Sequence, residues 1–273
     1  MKIVLAALFC VFSAAQAAAA PMWVERLAAP KAALVDSRFL TSAEGSDLRL
    51  DHSQWAAFLS RFVVIGDDGV ARVRYSAARG AGKAQLDEYV ASLEAADVAA
   101  LSRREQLAFW INLYNAATVR LILEHPGVSS IRDIDKPWDQ PVAVVSGRSL
   151  TLNSIEHGVI RPVFGDPRIH YAVNCASLGC PNLAWEAYAG AHIDAQLDAA
   201  AAAFVNHPRG VSIANGRLKV SKIYGWYRGD FGEDAAAAIA HLRRFADQDL
   251  AAALDGREKF DAFDYDWRLN SAD

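Results

Sequence analysis

The sequence predicts an α+β fold: a single domain with a central buried helix, a small mainly antiparallel sheet and several surrounding helices. Three observations lead there. Residues 103–124 carry a helical pattern that is apolar on nearly all sides, as a buried helix requires. Ser146-Gly147 and Asn215-Gly216 each sit between short alternating runs, which is the signature of a β-hairpin. Hairpins mix with helices without the regular βαβ order of a parallel sheet. Alanine inflates the 53% hydrophobic content, but seven tryptophans and twelve phenylalanines supply the volume of a large core.

Taken in order, residues 1–20 read as a signal peptide. Lys2 is its charged start, residues 3–14 its apolar core and Ala15-Gln16-Ala17 a small-residue cleavage site, so cleavage is expected between Ala17 and Pro21. The apolar run is too short to span a bilayer, so the product is expected to be exported, periplasmic or secreted, without a membrane span. Losing Lys2 takes the formal net charge from −4 to −5, and no basic run is present, which argues against nucleic-acid binding.

Residues 21–84 form a lead-in with helical patches. Ser53 is placed to cap a helix whose Trp55, Phe58, Leu59 and Phe62 share one face. Asp67-Asp68-Gly69 is a turn, residues 70–75 a short strand and residues 80–82 a flexible linker. A second amphipathic helix spans residues 85–96. The long helix opens after Ser102, with Glu105 completing a capping box, and stops at Pro126-Gly127. Asn112 and Asn115 lie on one face of it and, if buried, need hydrogen-bond partners. Residues 142–152 form the first hairpin. A helix capped by Asn153 or Ser154 follows and carries Glu156, His157 and Arg161. Later come an alanine-rich helix over 194–204, a second hairpin over 211–220, a helix from Ser221 toward Asp230-Phe231, another over 234–246 and a closing strand within 260–270.

Residues 169–183 hold the densest chemistry. Alternation predicts a strand over 169–175 with Ile169, Tyr171, Val173 and Cys175 on one face and His170, Ala172 and Asn174 on the other. Gly179 allows a positive φ in the following turn. Cys180-Pro181 then reads as a helix start, where the macrodipole and free N–H groups favour a thiolate.

These residues carry a family resemblance. The segments 109–116 (Phe-Trp-Ile-Asn-Leu-Tyr-Asn-Ala), 150–161 (ending Asn-Ser-Ile-Glu-His-Gly-Val-Ile-Arg), 169–181, 220–231 and 265–270 together resemble the domain of unknown function 547 family (DUF547). The resemblance implies a domain over residues 85–270. Relatives of this kind are often exported bacterial proteins, which agrees with the signal segment. It carries over no activity.

Three arrangements of the same atoms define the candidate chemistry. In a binding domain, a Cys175–Cys180 disulfide would pin the short loop, contributing about 2 kcal/mol. His157, Arg161 and His170 would line a pocket for a carboxylate or other anion of a small molecule or peptide, with Asn112, Asn115, Glu156 and Ser177 as further polar lining. In a cysteine-dependent hydrolase or acyl transferase, Cys180 would be the nucleophile, His170 or His157 the base, and Asn174, Asn112 or Asn115 the group that orients the base or donates to an oxyanion. This resembles the parts list, though not the chain order, of papain- or transglutaminase-like enzymes. Zinc on His157, His170, Cys175 and Cys180 is disfavoured, because the cysteine spacing is loose and the alternation puts His170 and Cys175 on opposite faces. No metal or cofactor is therefore expected. The other histidines, His52, His125, His192, His207 and His241, read as solvated. Economy of desolvation predicts that Asn112, Asn115, His157, Arg161, His170 and Asn174 converge on one pocket or buried polar cluster.

Overall fold

The 22-residue helix Arg103–Glu124 is buried along almost its whole length, and everything else packs around it. Its polar side chains do not face solvent. Instead they bind the backbone of chain segments that have no secondary structure of their own. Asn112 accepts from the Tyr188 N–H at 2.9 Å and donates to the Tyr188 carbonyl at 2.8 Å. Asn115 donates to the Ala172 carbonyl at 2.9 Å and accepts from the Asn174 N–H at 2.8 Å. Ser102 caps the helix by accepting from the Glu105 N–H. The expected reciprocal half of the capping box is absent: the Glu105 carboxylate is used to hold Leu50 and Gly190 through their N–H groups, both at 3.1 Å.

The computed structural model describes residues 20–273, so the signal segment expected over residues 1–20 falls outside it except for Ala20. In chain order the helices are α1 (Met22–Ala28), α2 (Ser53–Phe62), α3 (Tyr75–Ala78), α4 (Ala81–Glu94) and α5 (Arg103–Glu124). Then follow α6 (Leu152–Ile155), α7 (Arg161–Phe164), α8 (Ile193–Val205), α9 (Ile223–Trp226), α10 (Arg228–Phe231), α11 (Ala235–Arg243) and α12 (Gln248–Leu254). The expected single sheet is divided among three small ones. β1 (Val63–Ile65) pairs with β2 (Ala71–Val73), and β3 (Pro141–Val145) with β4 (Arg148–Thr151), both antiparallel. β5 (Val211–Ala214) pairs antiparallel with β6 (Arg217–Ser221), and β7 (Ala262–Asp264) adds to β6 in parallel. Both predicted hairpin turns form, with positive φ at Ser146-Gly147 and at Asn215-Gly216.

The core has two parts. The larger surrounds α5 and takes in Phe39, Trp55, Phe58 and Leu86, so the lead-in is built into the same core rather than standing apart. The smaller gathers Tyr171, Phe204, Leu218, Tyr224 and Phe231. Gly82 is not a linker residue: it lies inside α4, and a Cβ there would stand 2.8 Å from the Phe62 ring.

The strand expected over 169–175 is not formed. Asp166 accepts from the Arg168 N–H, Pro167 fixes φ, and residues Pro167–Tyr171 wind into a 3-10 helix. Its pitch sends Ile169 into the larger core and Tyr171 into the smaller one, with His170 between them. Residues 172–175 are irregular: the Ala172 carbonyl and the Asn174 N–H bond to Asn115, and the Ala172 and Val173 N–H groups to the Ile169 carbonyl, instead of to a neighbouring strand. Cys180-Pro181 does not start a helix either; residues 181–189 run without regular structure until α8. Gly179 keeps a negative φ, and the positive φ falls on Ala176. Glycine is needed at 179 for space, since a Cβ would stand 2.7 Å from the backbone nitrogen of Asp266.

The Asn115 clamp gives a direct test. Asn115→Leu keeps the volume but strands a buried carbonyl at Ala172 and a buried N–H at Asn174. Urea unfolding is expected to show a loss of about 2–4 kcal/mol, whereas a loss under about 0.5 kcal/mol would mean that the clamp is dispensable.

Candidate functional site

The sequence-predicted residues fall into two buried clusters rather than one. The asparagines belong to neither as free ligands. Asn112 and Asn115 are spent on backbone, as above. Asn174 accepts from the Ala176 N–H at 2.8 Å and donates to the Pro181 carbonyl at 2.7 Å, so it shapes the cysteine loop and does not orient a base.

The first cluster contains Glu156, His157, Arg161 and His170, and the structure adds Asp230 and Tyr227 to it. Between α6 and α7 the helix widens into a single π turn, Glu156–Ile160. The π turn leaves the carbonyls of His157 and Gly158 to accept from the Ala33 and Val35 N–H groups of the lead-in, at 2.9 and 3.0 Å. Arg161 donates to Asp230 through Nε and Nη2 at 2.6 and 2.9 Å, and through Nη1 to the Pro30 carbonyl. His170 Nε2 is 2.7 Å from the same Asp230 carboxylate. The imidazole stacks on Tyr227 at 4.5 Å, and the Arg161 guanidinium lies over that ring at 4.8 Å. His157 Nδ1 is 3.2 Å from Arg161 Nη1 and 3.7 Å from Glu156. Burial pushes the His157 pKa below its ordinary value, which leaves the ring neutral and free to accept from the guanidinium. Burial alone would raise the Asp230 pKa, but the bonds from His170 and Arg161 outweigh it and hold the carboxyl well below the usual range.

The second cluster is built on sulfur. Cys175 and Cys180 are free thiols, and the expected disulfide is not formed. The turn at Ala176 and the Asn174 bonds instead place both sulfurs around one phenol. Tyr265 Oη is 3.1 Å from Cys180 Sγ, 3.2 Å from Cys175 Sγ and 2.9 Å from Ser177 Oγ. The Cys175 N–H also donates to Cys180 Sγ at 3.0 Å. Burial would raise the Cys180 pKa, yet hydrogen bonds from the Cys175 thiol, Tyr265, Ser177 and the Cys175 N–H lower it to about 6. Cys175, which donates to Cys180 and is itself buried, is pushed up. The helix N-terminus expected at Cys180 is not formed; fixed donors take its place in favouring the thiolate. Among the described residues no imidazole hydrogen-bonds either sulfur, so the expected Cys180–histidine pair is not made; His170 is bonded to Asp230 instead.

Among the described residues no group of three or more His, Cys, Asp or Glu is placed to hold a metal ion. His52 and His241 are not solvated: each is buried beside a tyrosine hydroxyl, Tyr89 at 2.7 Å and Tyr171 at 3.1 Å.

A third feature was not anticipated. A groove of about 590 Å³ runs between α8 and residues 182–188. Tyr171, Leu183, Tyr188 and Phe204 line it, with Ala199 and Ala203 on its helical side. Trp185 stands at its edge, 70% exposed. Arg209 contributes the groove's cationic group. The alanine run of α8 was legible in the sequence, but which side of the helix would be left open was not.

Fold and site together define an α+β domain organised on a buried helix, with a histidine–carboxylate cluster and a thiol pair packed beside it. Residues 98–205, which hold α5, both clusters' histidines and cysteines and α8, match the family described as "Protein of unknown function, DUF547". Asp230, Tyr265 and Arg209, which complete the polar clusters and the groove, lie beyond the matched residues. Neither the curated proteins nor the solved structures compared with the chain include a match.

Asp230→Asn removes the carboxylate that bonds both Arg161 and His170, leaving the buried guanidinium without its ion-pair partner, and is expected to cost about 3 kcal/mol or more near neutral pH. The sign of the pH effect follows from the lowered Asp230 pKa. Its contribution is present above the ordinary carboxylate range and is lost as pH falls below it. Urea unfolding should therefore show wild type losing stability more steeply than Asp230→Asn below about pH 4; parallel pH curves would contradict the ion-pair account.

Proposed function

We propose that this chain is a binding domain for a small molecule with an apolar body, held in the groove between α8 and residues 182–188. The observation that carries this reading is the groove itself. The alanines of α8 withdraw bulk from one wall, while Tyr171, Tyr188 and Phe204 supply broad apolar faces to the others. A large exposed tryptophan beside such a cavity is a feature of ligand recognition, since an unused indole gains nothing from solvent. The histidine–arginine cluster is less suited to the task, because its charged donors are already satisfied by Asp230 and by the lead-in backbone. The reading of residues 1–20 as a signal segment supports a place of action outside the cytoplasm, and intact-mass measurement of secreted protein tests it by the loss of at least residues 1–17.

The neutral fluorescent probe N-phenyl-1-naphthylamine is expected to bind with an enhanced emission and to quench Trp185. Ala203→Trp, which fills the groove from an exposed helix position, should weaken that binding at least tenfold while leaving the melting temperature within about 2 °C. Equal binding by both proteins would overturn the assignment.

A second reading is favoured by one observation, the three hydrogen-bonding groups that converge on Cys180 Sγ. A cysteine-dependent hydrolase or acyl transferase would use Cys180 as nucleophile, with Tyr265 as the nearest proton carrier in place of His170 or His157. The rate of Cys180 alkylation by iodoacetamide is expected to rise with a midpoint well below that of an ordinary thiol, because several hydrogen bonds favour its thiolate, and Tyr265→Phe should move that midpoint upward. Because the folded pKa lies below the unfolded one, Cys180 also stabilises the fold increasingly as pH rises from about 6 to 9, a trend that Cys180→Ser should lack. A midpoint near 9, the ordinary thiol value, would end this reading.

A further inference from the structure

The groove also carries a cation that, among the described residues, no carboxylate contacts. Arg209 follows α8 at the turn into β5, and its guanidinium sits 5.5 Å from the centre of the Phe204 ring. Nη1 donates to the Leu178 carbonyl at 3.1 Å, and Nη2 donates to Asn182 Oδ1. Both acceptors are neutral. Of the five N–H groups a guanidinium offers, these use two. Nε is buried and, among the described residues, has no hydrogen-bond partner. Asp68, a carboxylate near enough for Arg209 to feel its charge, is itself paired with Arg72 at 2.6 Å. Glu186, the acidic residue of the groove lining, is exposed.

Arg209 is held rigidly all the same. Asn182 accepts from the Ala71 N–H at 2.7 Å and donates to the Gly69 carbonyl at 3.0 Å, so the amide that receives Nη2 is fixed to the β1–β2 hairpin. The Cys180 sulfur and Asp68 are near enough for Arg209 to feel their charge, but among the described residues no anion bonds it; a guanidinium that is half desolvated and oriented only by neutral groups is costly unless something else contacts and neutralises it. Burial accordingly pushes the Arg209 pKa down. One cation calls for one negative charge, and the planar fork of an arginine matches the two oxygens of a carboxylate.

We infer that the groove binds a monocarboxylate, its carboxylate on Arg209 and its apolar body along the alanines of α8 between Trp185 and Tyr188. The inference rests on the groove being a ligand site and adds the class of ligand. A volume of about 590 Å³ accommodates a medium-length aliphatic or a phenylalkyl acid with room to spare.

Calorimetric titration with 4-phenylbutyrate and with 4-phenylbutanol separates the two levels of the argument. The acid and the alcohol share their apolar body and differ in charge. Wild type should bind the acid at least tenfold more tightly than the alcohol, with a preference that shrinks as salt is raised. Arg209→Gln, which keeps a donor for Leu178 but removes the charge, should bring the two ligands to equal affinity. Ala203→Trp should weaken both. If wild type binds acid and alcohol equally, the carboxylate assignment falls and the apolar groove stands. If it binds neither, both fall. Should Arg209→Gln fail to fold, Arg209→Lys retains the charge without the fork, and an undiminished preference there would overturn the bidentate anchor. Tight binding of the acid that survives Ala203→Trp would place the ligand elsewhere and overturn the inference.

Discussion

The structure depends on a buried helix whose polar side chains serve as partners for other segments' backbone. A segment without a strand or helix of its own must still satisfy its N–H and carbonyl groups if it is to be buried. Residues 172–174 and 188–190 are in that position, and α5 supplies the bonds through Asn115, Asn112 and Glu105. Each amide makes a reciprocal pair, one bond given and one received, as a strand neighbour would. The irregular chain between the 3-10 turn and α8 can therefore run through the interior at little cost, and its cysteines, Ser177 and the groove wall are placed with the accuracy of a sheet.

The same economy separates the two polar clusters. A common pocket was a reasonable expectation for six buried polar groups, since mutual satisfaction is the cheapest arrangement. The groups do satisfy partners, but three of the six find them in backbone. His157, Arg161 and His170 remain, and they close on Asp230 from a helix some sixty residues later in the chain. Sulfur chemistry is then left to a phenol rather than to an imidazole. Acidity at Cys180 arises from several weak donors pointed at one atom, none of which is charged, in contrast to a thiolate–imidazolium pair.

Local physics was legible in the sequence where local physics decides. The hairpin at Ser146-Gly147 requires positive φ at two adjacent residues, and both have it. The all-round apolar pattern of residues 103–124 permits only a buried helix. The π turn at Glu156–Ile160 has no comparable signature, and the 3-10 turn over Pro167–Tyr171 mimics strand alternation because its neighbours must enter two different cores. Tyr265 and Asp230 are ordinary residues of an aromatic tail and a short helix until the tertiary fold brings them to Cys180 and His170. Arg209 is silent in the sequence for the same reason: what marks it is the carboxylate it lacks, and that is visible only in three dimensions.

The tail that supplies Tyr265 is stitched into early parts of the chain. The Leu178 and Gly179 N–H groups donate to the Arg268 and Asp266 carbonyls, the Asn270 N–H donates to the Ala176 carbonyl, and Val73 donates to the Asn270 carbonyl and accepts from the Ala272 N–H. Order of synthesis then matters. About eighty-five residues separate Cys180 from the phenol that bonds it, so on a growing polypeptide the two thiols stay open to oxidants and to each other until late in translation. A premature stop in this tail would yield a chain with its central helix intact but without the phenol that bonds both thiols, a species in which the neighbouring sulfurs are open to oxidation to a disulfide.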